Sequence, residues 1–247
     1  MKEKSWQIRF GVVLVVLSAL LYLLHFVIFH ESHHIFIYLV GDIAFVPIEV
    51  LLVTLILHQL LSRREKQAML SKLNMIIGVF FNDLGTELLG RLSAFDTQPG
   101  DLDDLSDIDA NWDAARFAGL RRRFIGESCK LDSRAGDLAG LKSFLLEKRS
   151  GLLDLLRNGN LLEHQKFTDA LWAVFHLADE LERRGDFSAL PDTDLHHLSG
   201  DLRRAHQRLV LQWLAYMRHL QADYPYLFSL AIRTNPFRAD ASAVVEK

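Results

Sequence analysis

Residues 10–29 read FGVVLVVLSALLYLLHFVIF and residues 35–61 read IFIYLVGDIAFVPIEVLLVTLILHQLL, two apolar runs separated by five residues. A helix of about twenty residues crosses the ~30 Å hydrocarbon core of a bilayer, so each run is long enough for a transmembrane span. The first run is too long for the apolar part of a typical signal peptide. The short turn favours a hairpin, because each helix satisfies its own backbone hydrogen bonds in lipid. We therefore predict a transmembrane hairpin over residues 1–62.

Basic residues flank the two predicted spans, and the turn between the spans contains none. They are Lys2, Lys4 and Arg9 before the first span, and Arg63, Arg64 and Lys66 after the second. Since Lys and Arg accumulate on the cytoplasmic side, both termini are expected to be cytoplasmic. This pattern predicts a multi-pass protein of a bacterial inner (plasma) membrane, with the lipid bilayer as a partner.

The sequence after the second span predicts helices only. Residues 63–94 contain no proline and repeat apolar residues at three- and four-residue spacing, so the second span should continue into a long connector helix. Residues 95–238 are expected to form a cytoplasmic helical domain, and residues 239–247 a flexible tail. No run alternates with the period of two that is typical of strands. The predicted fold class is all-α.

Within the cytoplasmic domain, the apolar spacing and the prolines predict five helices. Their approximate ranges are 112–127, 133–157 with a break near Gly151, 161–184, 192–224 and a short helix between Pro225 and Pro236. Residues 96–113 are rich in aspartate but lack the glycine and glutamate of an EF-hand loop. We expect an exposed loop that supplies helix N-caps.

Polar residues inside the predicted spans are the strongest functional signal, because burying ionisable groups in lipid is costly. Asp42 and Glu49 lie seven residues apart, nearly two helical turns, and therefore share a side of the second span near Tyr38. Pro47 lies between them and leaves the carbonyl of Ile43 without a helical hydrogen-bond donor.

The first span carries a matching polar stripe, Ser18, Tyr22 and His25. One interpretation is structural: Asp42 pairs with His25, Glu49 is protonated or bonded to Ser18, and these contacts hold the hairpin together. The other is functional: several copies of the chain assemble, and rings of Asp42 and Glu49 line a path for cations.

The turn between the spans contains His30, Glu31, His33 and His34. Imidazole and carboxylate groups bind zinc or copper, and histidine titrates near neutral pH, so this turn is a candidate metal site or pH sensor. The alternative is a polar turn that marks the membrane boundary. The histidines of the soluble domain, among them His176 and His197, are expected to be packed or solvent-facing.

The composition and the motifs exclude several classes of protein. The net charge of −3 lacks the basic excess of a nucleic-acid-binding protein, and the single cysteine, Cys129, excludes an intramolecular disulfide. No nucleotide-binding or nucleophile motif is found, so we expect no enzyme and no organic cofactor. The leading hypothesis is a homo-oligomeric cation channel. The alternative is a membrane-anchored helical scaffold or sensor without transport activity, with an unidentified cytoplasmic protein partner.

Overall fold

The computed structural model describes residues 2–30, 32–98, 100, 102–126, 129–162 and 164–245. The predicted all-α class is confirmed, because the chain is 78% helical and the described residues form no strand. Their one β-type contact is an isolated bridge between Asp96 and Leu131. The chain divides into two compact units, Met1–Lys66 and Gln67–Lys247.

The helices are numbered in chain order. They are α1 (Lys2–Phe29), α2 (Ser32–Phe80), a π-helical turn (Phe81–Gly85), α3 (Thr86–Ser93), α4 (Asp103–Ser106), α5 (Ala114–Gly126), α6 (Leu138–Glu147), α7 (Arg149–Leu156), α8 (Gly159–Leu162), α9 (Gln165–Glu182), α10 (Asp192–Asp223) and α11 (Pro225–Arg233).

The first unit contains α1 and the N-terminal part of α2. Helix α1 ends at Phe29, and the next residue, His30, adopts a left-handed conformation with φ of 54° and donates its N–H to the Phe26 carbonyl at 2.9 Å. Helix α2 continues through Pro47. By length and composition, Arg9–Ile28 and a segment within Ile35–Ser93 qualify as membrane spans, and no residue of their most apolar windows is buried.

The second unit packs around α10, which contacts α9, α5, α11 and α3. The π-helical turn brings two consecutive rings into this core. Phe80 meets Phe167 edge-on at 5.2 Å, and Phe81 stacks on Tyr216 at 5.1 Å between ring centroids. Gly85 permits this arrangement, because a Cβ atom there would lie 2.5 Å from Cε1 of Phe80.

Several helix ends differ from the sequence prediction. Helix α6 begins at Leu138 rather than near 133, because Asp137 caps it by accepting a hydrogen bond from the Gly140 N–H at 2.8 Å. The break in this region falls at Lys148, while Gly151 lies inside α7. Helix α9 begins at Gln165 rather than near 161, because His164 Nδ1 accepts from the Phe167 N–H.

The acidic segment before α5 supplies a helix cap, as the sequence predicts. It is not the expected exposed loop throughout, because it contains α4 and buries Leu105 and Ile108 in the core. Asp113 Oδ1 accepts a hydrogen bond from the Arg116 N–H at 2.8 Å at the start of α5. Asp109 accepts from the Asn111 N–H at 2.7 Å, and Asp104 pairs with Arg123. The segment is therefore held by local hydrogen bonds and by one helix of the domain.

Candidate metal centre

Five of the polar residues predicted in the hairpin lie around one cavity of the first unit, the hairpin cavity, of about 390 Å³. Its polar lining residues are Ser18, Tyr22, His25, Tyr38 and Asp42. The hydroxyl of Tyr22 donates to Asp42 Oδ2 at 3.2 Å. Tyr22, one turn before His25 on α1, therefore bonds to Asp42, and the predicted pairing of Asp42 with His25 stays a prediction.

The remaining predicted residues lie outside this cavity. Ile43, Pro47 and Glu49 are exposed on α2, so the structure does not bring Glu49 to the Ser18 side of the cavity. At the turn, His30 caps α1 and its ring stacks on Phe26 with 6.4 Å between centroids. His33 is exposed.

Glu31 and the side chain of His34 lie outside the described residues. The metal or pH-sensing role of the turn therefore stays a prediction.

A second polar group, the α9–α10 cluster, consists of His176, Glu180, His197 and Asp201. His176 and Glu180 lie one turn apart on α9, and His197 and Asp201 lie one turn apart on α10. Residues four apart project from the same face of a helix, and α9 and α10 pack side by side. The two pairs therefore face each other across one helix–helix contact.

Ligand atoms of Glu180, His197 and Asp201 all lie within 4.8 Å of one another, and His176 lies beside this triad. Asp201 Oδ2 lies 3.3 Å from His197 Nε2 and 3.6 Å from His176 Nε2. Glu180 lies 3.7 Å from His197 Nε2 through Oε2 and 3.9 Å from His176 Nε2 through Oε1. Neighbouring ligands of a tetrahedral zinc ion are about 3.4 Å apart, since zinc binds nitrogen and oxygen at about 2.0–2.2 Å. The observed distances are close to this value.

Asp201 forms the base of the cluster. Its side chain is only 1% exposed, whereas the imidazoles of His176 and His197 are 47% and 53% exposed. Oδ1 accepts a hydrogen bond from Arg204 at 2.5 Å. Oδ2 is shielded from solvent and has no hydrogen bond within the part of the chain that the structure describes. The site is thus open to solvent on the histidine side and fixed on the carboxylate side.

Arg184 holds the second carboxylate of the cluster. It donates to Glu180 Oε2 at 2.6 Å and, through Nε and Nη2, to both carboxylate oxygens of Asp194 at 2.7 Å. The hydrogen bond from Arg184 lowers the pKa of Glu180, although partial burial opposes this shift. Glu180 is therefore ionised at neutral pH, the form in which a carboxylate binds a metal.

Sequence reasoning missed this cluster. It treated the soluble histidines one at a time, although His176 and Glu180 lie four residues apart and so share a helix face. The signal that was missed is a second His–acid pair four residues apart, His197 and Asp201. This pair lies on the long helix that follows α9 after a short connection. Two facing i, i+4 pairs on adjacent helices supply four ligands, whereas one pair supplies two.

Comparison with known proteins shows the family of the chain. Residues 69–233 match the family described as "Uncharacterized protein MJ1433, C-terminal helical domain". Residues 2–61 match the family described as "MJ1433, N-terminal helical domain". The chain belongs to the MJ1433 family. The α9–α10 cluster lies inside the matched C-terminal domain, and the hairpin cavity lies inside the matched N-terminal domain.

One MJ1433 relative spans the whole chain. The protein described as "Uncharacterized protein MJ1433" from Methanocaldococcus jannaschii is 42% identical over 247 residues, which cover 100% of this chain and 99% of that protein. No solved structure matches the chain. These matches establish the MJ1433 family and its two helical domains.

Proposed function

We propose that this protein is a membrane-anchored sensor whose C-terminal helical domain binds a divalent transition-metal ion between α9 and α10. The observation that carries the proposal is the convergence of Glu180, His197 and Asp201, whose ligand atoms all lie within 4.8 Å of one another. His176 lies 3.6 Å from Asp201 Oδ2 and is proposed as the fourth ligand. Mixed nitrogen and oxygen ligands favour zinc and its first-row neighbours over magnesium or calcium, which prefer oxygen alone.

Charge balance supports a cation at this place. The carboxylates of Glu180, Asp194 and Asp201 face the guanidiniums of Arg184 and Arg204. With both histidines neutral, one negative charge remains, next to the shielded Oδ2 of Asp201. A divalent cation would bind that oxygen and use the neutral imidazoles as further ligands.

Metal binding would act on the packing of the domain. The ligands come in equal numbers from α9 and α10, and α10 also contacts α5, α11 and α3. A bound ion therefore cross-links the helix pair at the centre of the domain. Because only the folded chain holds the four ligands together, the ion stabilises the folded state, and the free energy gained rises with the logarithm of the ion concentration divided by the dissociation constant.

The membrane anchor is supported by the surface of the first unit. The most apolar windows of α1 and α2 have no buried residue, so in water this unit would expose a continuous apolar surface. The hydrogen bond between Tyr22 and Asp42 satisfies polar groups within the hairpin, which is how polar side chains hold membrane helices together. We place the hairpin in the plasma membrane with both termini in the cytoplasm.

Thermal unfolding of the full chain in detergent, after removal of metal with a chelator, tests the metal part of the proposal. Zinc at a hundred times its dissociation constant should stabilise the domain by about 2.7 kcal/mol, and excess magnesium should not. An unchanged melting temperature with zinc would refute the metal site.

The membrane anchor has a separate test. The chain should remain with the membrane pellet after an alkaline carbonate wash, and release into the supernatant would refute the anchor.

Cation conduction by a homo-oligomer is a second candidate, favoured by Glu49 alone. This carboxylate lies in the apolar part of α2, outside the hairpin cavity, and has no hydrogen bond or ion pair among the residues described. A ring of such carboxylates would select cations. Ion flux into liposomes that falls in the double variant Asp42→Asn, Glu49→Gln would support conduction, and unchanged flux would eliminate it.

A further inference from the structure

A cavity of about 430 Å³ lies between α5 and α10, remote in sequence from the hairpin and lined by none of the four metal-site residues. Helix α5 contributes Arg121 and Arg122, and helix α10 contributes Arg218. Among the residues that the structure describes, none that lines the cavity carries a carboxylate. This feature, the arginine cavity, thus collects three positive charges without a negative one among the described side chains.

The three arginines lack the partners that neighbouring arginines have. Arg123 pairs with Asp104, and Arg116 stacks over the ring of Trp112 at 4.5 Å. By contrast, Arg121, Arg122 and Arg218 form no ion pair within the described ranges.

Arg121, Arg122 and Arg218 also have few hydrogen bonds. Arg121 Nε is shielded from solvent and has no hydrogen bond there, and Arg122 Nε has only a long one, 3.4 Å, to the Ala118 carbonyl of its own helix. Arg122 and Arg218 are exposed, so the donor left without a partner in the described part of the chain is the shielded Nε of Arg121. The three grouped guanidiniums also repel one another. A bound anion would accept from Arg121 and offset the repulsion.

The walls of the arginine cavity are apolar. Phe117 and Leu214 are buried and form its inner side, while Ile125 is 59% exposed. Such surface gains from covering by an apolar group, at roughly 25 cal/mol per Å². The volume falls in the range of ligand pockets, about 300–1,000 Å³. The lining therefore suits a ligand with an anionic head and an apolar body.

We propose that the arginine cavity binds an anionic amphiphile, a molecule with a carboxylate or phosphate head and a single apolar chain. The guanidiniums of Arg121, Arg122 and Arg218 bind the head by charge-assisted hydrogen bonds. The chain packs on Phe117, Leu214 and Ile125. This site is independent of the metal centre, and its ligand comes either from solution or from the anionic lipids of a bilayer.

The test is photolabelling of the full chain in nanodiscs of neutral phosphatidylcholine, with decanoate that carries a diazirine. Label should appear on peptides from α5 and α10, and decyl phosphate should compete for it. Decanol, which lacks the charge, and inorganic phosphate, which lacks the chain, should not compete. Nanodiscs that contain phosphatidylglycerol distinguish a ligand from the bilayer from a ligand from solution. Suppressed labelling assigns the ligand to the bilayer, and unchanged labelling assigns it to solution. Both results support an anionic amphiphile.

Matched variants locate the binding site. The double variant Arg121→Gln, Arg218→Gln should reduce labelling at least tenfold. Arg203→Gln, an exposed arginine of α10 that does not line the cavity, should leave it unchanged. Circular dichroism establishes that each variant is folded. Labelling that survives in the folded double variant, or that decanol or inorganic phosphate removes as well as decyl phosphate does, would overturn the proposal.

Discussion

Oδ2 of Asp201 lies 3.3 Å from Nε2 of His197, one turn earlier on the same helix. The carboxylate is buried and held in place, whereas the imidazole is half exposed to solvent. His176 and Glu180 complete the arrangement from the neighbouring helix. Each helix contributes two of these side chains, and the packing of α9 on α10 brings them together.

The first prediction concerns the histidine ligand on α10. His197→Ala should weaken zinc binding by more than the ~10–100-fold that the loss of an outer-shell partner costs, because it removes a direct ligand. His196→Ala is the matched control, since His196 is an exposed neighbour outside the cluster. Zinc-induced shifts of the melting temperature measure both. Equal shifts in the two variants would contradict the assignment of His197 as a ligand.

The second prediction concerns the glycine of the π-helical turn. A Cβ atom at Gly85 would lie 2.5 Å from Cε1 of Phe80 and 2.7 Å from Cδ1 of Phe81. Gly85→Ala should therefore destabilise the domain by about 1–3 kcal/mol through overpacking.

Gly151 in α7 is the control for this substitution, because a Cβ there meets nothing within 4 Å. Gly151→Ala should stabilise the domain by roughly 0.5–1 kcal/mol, the usual gain from replacing a helical glycine. Unfolding monitored by circular dichroism compares the two variants. A neutral Gly85→Ala would show that the two phenylalanine rings do not need the glycine.

The third prediction is a dependence of stability on pH that originates in α10. His206 is buried, its Nε2 lies 3.2 Å from Ser93 Oγ, and burial lowers its pKa from 6.5 to about 4. Between these two values the unfolded chain binds a proton that the folded chain does not, so stability falls as the pH drops from about 6.5 toward 4. The loss contributed by this residue should approach about 3 kcal/mol at pH 4.

His206→Gln should remove that contribution and flatten the profile between pH 6.5 and 4, because glutamine does not titrate. Urea unfolding of the wild type and the variant at a series of pH values measures the difference. Parallel profiles over this range would mean that His206 titrates normally in the folded protein.

The helical fold follows from local sequence patterns, and the junctions between helices do not. The apolar spacing near Leu198 and Leu202 predicts α10 almost to its ends, because its buried face repeats at three and four residues. The start of α9 depends on His164 acting as a cap, and histidine is not a typical N-cap residue. The break at Lys148 has no sequence signal, since lysine is a good helix former.

The candidate sites also differ in whether the sequence alone can predict them. The hairpin cavity could be predicted because Tyr22 and Asp42 are conspicuous among apolar neighbours, which makes each residue a signal by itself. The α9–α10 cluster could not, because His176 and His197 are ordinary residues of polar helix faces until packing brings them together. The arginine cavity likewise depends on Arg218 of α10 meeting Arg121 of α5, 97 residues apart in the sequence.

Titration of the metal-free full chain with Co²⁺ tests the metal centre most directly, because the visible absorption of Co²⁺ reports both its stoichiometry and its coordination. We predict one ion per chain, displaced by zinc, and an affinity at least ~100-fold lower for Asp201→Asn, which keeps the shape of the side chain but loses its charge. A wild-type chain without a saturable Co²⁺ spectrum, or an Asp201→Asn variant that binds equally well, would contradict a metal site between α9 and α10.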